Sequence, residues 1–197
     1  MAYPKNDMDQ RLALVRPEDT VRGLIFNAVL NLAERQLGPD TAAKLREPLF
    51  KRSPVDFFSY SAVDAIRLLY ATSDALARAG RFGSQEEAVR ACGAAAVTGF
   101  FSSTVGQTLT RLIGKGDPKR LLSNAPTAYS TLVSYGRREY SVIAERHVRL
   151  AFEGDMQPVQ FHEGVLQEAL KAIQCNGTVT GTPRGYFAAD YDIKWEA

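Results

Sequence analysis

Two cysteines and two histidines are all that this 197-residue chain has of the side chains that most often hold metals. Cys92 and Cys175 are too few and too far apart for a disulfide framework or a zinc cluster, which points to a reducing compartment. His147 and His162 have no cysteine or second histidine at ligand spacing, and His162-Glu163 lacks the second histidine of a helical zinc motif. Both histidines read as surface or capping residues, and no metal site is expected. Charge of one sign is lacking too. The 24 Lys and Arg are interspersed with 22 Asp and Glu for a net +2, so no nucleic-acid-binding stripe is indicated. Long hydrophobic runs are missing: Ala91 to Phe101 is too short and too rich in Gly and Ala to span a bilayer. The opening MAYPKNDMDQ has no apolar signal stretch, so the expectation is a cytoplasmic protein whose residues 1–10 are disordered. Catalytic signatures are also missing. There is no Gly-x-Ser-x-Gly elbow, and Gly114-Lys115-Gly116 does not complete a phosphate loop. No catalytic residue is assigned, and no enzyme is expected.

What is present is ordinary globular material, 45% hydrophobic and 23% charged, long enough to bury a substantial core. Val21, Leu24, Ile25, Ala28, Val29 and Leu32 recur at helical spacing, which predicts a helix over 20–37 closed by Gly38-Pro39. Shorter and longer helices follow at 40–46 and 61–79. Ser84 with Glu87 is a capping box that opens a third long helix, continuing or restarting over 108–113. Arg11 to Arg16 alternates weakly, as a short strand would. Asp117-Pro118 marks another helix start, with Asp as cap and Pro in the first turn.

From Tyr140 the period changes to two. Tyr140, Val142 and Ala144, then Val148, Leu150 and Phe152, alternate with polar partners around a turn near Glu145-Arg146-His147. A helix over 159–173 and a hairpin of 178–182 with 186–195 complete the chain. The fold class is therefore α+β: an N-terminal helical layer on a C-terminal antiparallel sheet, in the order hairpin, inserted helix, hairpin. Residues 11–197 are read as one domain, mainly helical over 11–134 and mainly sheet over 135–197.

Three features could carry a ligand. Phe57, Phe58 and Tyr60 crowd one short stretch, as an aromatic core corner or a ligand wall. The middle of the third helix holds Ala91, Gly93, Ala94, Ala95, Ala96 and Gly99. Each interior glycine costs about 1 kcal/mol against alanine, which suggests close approach of another backbone or a bound molecule. Arg137-Arg138, with Lys119-Arg120, is the basic cluster nearest the seam between the two parts. It would either grip an anionic head group or lie solvated beside Glu139 and Glu145.

The residues Asp56-Phe57-Phe58, Arg67-Leu68-Leu69-Tyr70, Gly116-Asp117-Pro118-Lys119-Arg120-Leu121-Leu122, Pro126-Thr127-Ala128-Tyr129 and Val133-Ser134-Tyr135-Gly136 together resemble an uncharacterised paralogous protein family expanded in myxobacteria. The resemblance runs from about Val15 to Trp195. By order of elements the chain is also similar to a wider superfamily: haem-nitric-oxide-binding domains, vinyl-reductase-type small-molecule-binding domains, and Bet3-type subunits of Golgi tethering complexes. That likeness implies a hydrophobic pocket between helices and sheet. Haem domains of this type use a helical proximal histidine and a Tyr-x-Ser-x-Arg motif. Here 18–134 contains no histidine and Tyr135-Gly136-Arg137 does not complete the motif, so haem is expected to be absent and no cofactor is assigned.

The expectation is thus a non-enzymatic sensory or regulatory domain that binds a small hydrophobic molecule. Its pocket would lie between helix 84–113 and the strands around 140–152 and 186–195. Phe57, Phe58, Phe100, Phe101, Tyr129 and Tyr135 would line it, with Arg137 at the polar end. The alternative is a ligand-free interaction module that pairs as a homodimer through the glycine-rich helix face.

Overall fold

The computed structural model describes Tyr3, residues 6–102, Gly106 and residues 117–196. The expected helix over 108–113 and Gly114-Lys115-Gly116 lie outside the described residues.

Helix α1 spans Asp7–Leu12, and β1, Thr20–Arg22, pairs antiparallel with β2, Ser59–Ser61. Helix α2 runs Gly23–Leu37, α3 Pro39–Arg46, α4 Ala62–Arg78 and α5 Gln85–Ser102. Two short helices follow, α6 over Pro118–Ser123 and α7 over Ala125–Leu132. The sheet is made of β3, Arg137–Ala144, β4, His147–Glu153, β5, Gly177–Pro183, and β6, Ala188–Trp195; α8, Val159–Ala172, stands between β4 and β5. Strand order is β3-β4-β6-β5, antiparallel throughout, so the expected α+β order of hairpin, helix, hairpin is what the chain forms.

The sheet buries one face. Val148, Leu150 and Phe152 of β4 and Ala189, Tyr191 and Ile193 of β6 are in phase and buried. Leu122 of α6 and Leu166 and Leu170 of α8 cover them in one apolar cluster. A second cluster joins α2, α4 and α5 through Phe26, Ile66, Leu69, Leu76, Val89 and Cys92. Phe161 of α8 belongs to that second cluster, so α8 faces the sheet on one side and the helical layer on the other.

Two expectations are corrected at the N-terminus. Residues 7–10 are helical, not disordered, and 11–16 form no strand, because Asp7 and Arg11, one turn apart, are both buried and ion-paired at 3.0 Å. Thr20 to Arg22 leave the expected helix because their backbone pairs with β2 and, at Val21, with Val133.

A buried arginine, aspartate and histidine at an apolar pocket

A partly open cavity of about 100 Å³ lies between α5, the α6–α7 pair and α8. Its lining is apolar nearly all round: Ala96, Val97, Phe100 and Phe101 from α5, Leu121, Leu122 and Ala128 from α6–α7, and Phe161, Val165 and Leu166 from α8. Local sequence explains each wall. Asp117 accepts from the Arg120 amide at 2.9 Å and Pro118 occupies the first turn, which starts α6 where the sequence calls for it. Alanines on α5 and α7 leave room that larger side chains would fill.

Polar groups enter from one corner. Tyr129 of α7, Arg138 of β3, Gln157 before α8 and His162 on α8 line that end. Asp155 stands behind them and holds them together. Its Oδ1 accepts from His162 Nε2 at 2.9 Å and from the Gln157 amide at 3.1 Å, and its Oδ2 pairs with Arg138. The other ring nitrogen, His162 Nδ1, lies within hydrogen-bond distance of the Tyr129 hydroxyl, at 3.0 Å. Arg138 stacks over Tyr129 and Phe152, with its guanidinium carbon 4.8 and 5.2 Å from the two ring centres, and donates to the Tyr135 carbonyl at 2.7 Å. Burial alone would raise the Asp155 carboxyl, but His162 and Arg138 outweigh it and hold it well below the usual carboxylate range. Burial pushes the Tyr129 phenol far up, so it stays protonated and able to donate.

The expected ligand-binding residues separate. Phe100, Phe101 and Tyr129 share the cavity wall. Tyr135 is buried beside it, bonded through its hydroxyl to Gln157 Nε2 at 2.5 Å. Phe57 and Phe58 are corrected: they lie 56% and 64% exposed on the loop before β2, away from the pocket. Arg137 is also corrected, because successive strand residues face opposite ways and it points outward to Glu139, while its neighbour Arg138 turns in. The sheet gives the pocket only Arg138, since α6, α7 and α8 cover the remainder of its inner face. Sequence reasoning missed Asp155 and Gln157, chose Arg137 over Arg138 from the basic cluster, and read as surface or capping a histidine, His162, that is 1% exposed. Two of them had a signal: Arg138 is in phase with Tyr140, and His162 falls on the apolar stripe of Val159, Leu166 and Leu170. Cys92 is fully buried and its thiol is pushed up to about 12, which removes it as a nucleophile near neutral pH. Among the described residues, no group of three or more His, Cys, Asp or Glu is placed to hold a metal ion by itself, and no helix is long and apolar enough to cross a membrane.

With this geometry in hand, the chain can be placed. It belongs to the family described as Protein of unknown function (DUF2378), whose match spans residues 14–196. No curated protein matches it. Its fold is that of H-NOX structures. An H-NOX protein from S. oneidensis in the Fe(II)NO ligation state superposes with TM-score 0.70 at 15% identity, over 89% of this chain and 99% of that one. An Fe(II) unliganded H-NOX protein from K. algicida gives 0.66 at 12% identity, over 89% and 97%. An oxygen-binding H-NOX domain related to soluble guanylate cyclases, in its oxygen complex, gives 0.68 at 13%, over 89% and 95%.

These neighbours overturn the expectation that haem is absent, since the fold is one in which iron-ligating domains are built. The premise fails as well. A histidine was sought only in 18–134, but a pocket between layers is lined from both parts, and His162 reaches it from α8. A carboxylate holds one imidazole nitrogen, as is usual for metal-bound histidines, but the other faces the Tyr129 hydroxyl at 3.0 Å, so an iron would have to displace Tyr129 from His162. The cavity as it stands is smaller than the roughly 300–1,000 Å³ of drug-sized sites, so a macrocycle would have to spread its walls.

Proposed function

We propose that this chain is a non-enzymatic sensory domain that takes a small, mainly apolar molecule into the pocket between α5, α6–α7 and α8. The observation that carries the reading is the pairing of an apolar cavity with a buried Arg138–Asp155–His162–Tyr129 network at one end. Concave apolar sites with a few fixed polar groups are the usual form of small-molecule sites. The H-NOX fold supports the same reading, and it makes haem a candidate occupant. His162 would then be the residue that holds it, once Tyr129 gives way, with Asp155 fixing the ring, and the iron would supply affinity for a diatomic gas.

A homodimer through the glycine-rich face of α5 is the weaker reading. Gly93 on that face is already packed against α8 of the same chain, and Ala95 is buried.

Native mass spectrometry of the purified protein tests the proposal, alone and after incubation with hemin. The expected result is a bound mass that is lost in Ala128→Phe, which fills the cavity. If hemin is the occupant, a Soret band should shift in His162→Ala. If the wild type binds nothing and Ala128→Phe only raises the melting temperature, the cavity is a packing void and the proposal fails.

A further inference from the structure

The pocket's polar end has a defined hydrogen-bonding deficit. Two buried atoms there have no partner among the described residues: Arg138 Nε, a donor, and Gln157 Oε1, an acceptor. The other side-chain nitrogens of both residues each have a partner. Arg138 spends its terminal nitrogens on the Tyr135 carbonyl and on Asp155, and Gln157 Nε2 donates to the Tyr135 hydroxyl. Gln157 is 9% exposed and the Arg138 side chain 4%, so bulk water does not reach them freely. Leaving such atoms unpaired is unfavourable, so a bound partner is a natural remedy.

Charge narrows the choice. Among the described residues Arg138 is the Lys or Arg in the pocket wall, and Asp155 neutralises it directly. An incoming carboxylate or phosphate would have to share Arg138 with a carboxylate already bonded to it, in a poorly screened interior. A neutral group escapes that repulsion. A hydroxyl is donor and acceptor at one oxygen, and so suits a wall that holds an unpaired donor, Arg138 Nε, and an unpaired acceptor, Gln157 Oε1. Resting on the ligand-binding reading above, we infer that the pocket selects neutral, hydroxyl-bearing apolar molecules, with Gln157 and Arg138 as the residues that read the hydroxyl. The 100 Å³ cavity sets the scale, close to the engineered apolar cavity of about 150 Å³ that holds benzene.

Calorimetric titration of the full chain with three matched probes tests this: toluene, benzyl alcohol and benzoate. Two net hydrogen bonds predict that benzyl alcohol binds roughly 5- to 150-fold tighter than toluene, the factor that corresponds to about 0.5–1.5 kcal/mol for each. Benzoate should bind more weakly than benzyl alcohol. In Gln157→Leu, benzyl alcohol should fall toward the toluene level while toluene itself still binds. Equal affinity for toluene and benzyl alcohol would overturn the hydroxyl inference and leave the pocket reading standing. Tightest binding by benzoate would overturn it too, by showing that Arg138 acts as a free cation. If none of the three binds, the pocket reading falls and this inference with it. The wild-type order decides the question even where Gln157→Leu does not fold.

Discussion

Asp155 is the residue on which the pocket's polar end depends. It is 5% exposed and receives hydrogen bonds from His162 and the Gln157 amide, while pairing with Arg138. Removing one partner of a buried ion pair leaves the other charge uncompensated, which destabilises by about 3–5 kcal/mol. Asp155→Asn should therefore lower stability by about 3 kcal/mol at pH 7, measured by urea denaturation. The pH dependence follows from the depressed carboxyl. Stability from Asp155 is fully present above its ordinary value of 3.8 and is lost as pH falls toward the lower folded value. The gap between wild type and Asp155→Asn should thus narrow below about pH 4. A gap that stays constant from pH 7 to pH 3 would mean Asp155 is not ionised in the fold. Neither Asp155 nor Gln157 was legible in the sequence. They sit in a loop, and a loop residue's burial is decided by elements far along the chain, here Tyr135, Arg138 and α8.

At the scale of elements, the α5–α8 crossing is the joint that sets the pocket's width. A Cβ on Gly93 would lie 1.9 Å from the Phe161 carbonyl oxygen, and one on Gly164 would lie 1.9 Å from that of Arg90. The two glycines thus exchange close backbone contacts, each opening a notch for the other helix. Intrinsic propensity would favour alanine at both sites by about 1 kcal/mol. Backbone cannot move aside as a side chain can, so Gly93→Ala and Gly164→Ala should each destabilise by about 2 kcal/mol or more. Gly99→Ala is the control: among the described residues its added carbon meets only the Ala28 methyl, at 3.2 Å, and the change should be far milder. Thermal denaturation of the three variants separates the cases, and a stabilised Gly93→Ala would refute the close crossing. Here the sequence was half legible. Small residues in α5 announced a close approach, but their periodicity does not name the partner, and Gly164 lies some seventy positions on. The cap at Asp117 was wholly legible, because capping is local. Asp117→Ala should cost about 1 kcal/mol and be silent for ligand affinity beyond that.

At the scale of the molecule, α1 binds the helical layer to the far end of the sheet. Arg11 Nε donates to Asp7 and to the Tyr70 hydroxyl of α4, each at 3.0 Å, and Arg11 also donates to the Met156 carbonyl at 3.1 Å. Tyr186, in the turn between β5 and β6, donates to Asp7 at 2.7 Å and packs under the Arg11 guanidinium. Polar residues at a chain's start ordinarily read as solvated, and nothing local in MAYPKNDMDQ says that Asp7 and Arg11 are covered by residues 60 to 180 positions away. The link has a consequence for the pocket. Met156 lies between Asp155 and Gln157, so the same short loop carries the α1 anchor and the pocket's polar wall. Arg11→Ala should therefore do more than fray a terminus. We expect hydrogen exchange to quicken by tenfold or more in α1 and at the Gln157 amide, which is held by Asp155, while buried amides of α8 and β6 keep their protection. If exchange quickens in α1 alone, the helix is an appendage without influence on the pocket. If it rises uniformly along the chain, Arg11 serves global stability and the loop carries no separate coupling.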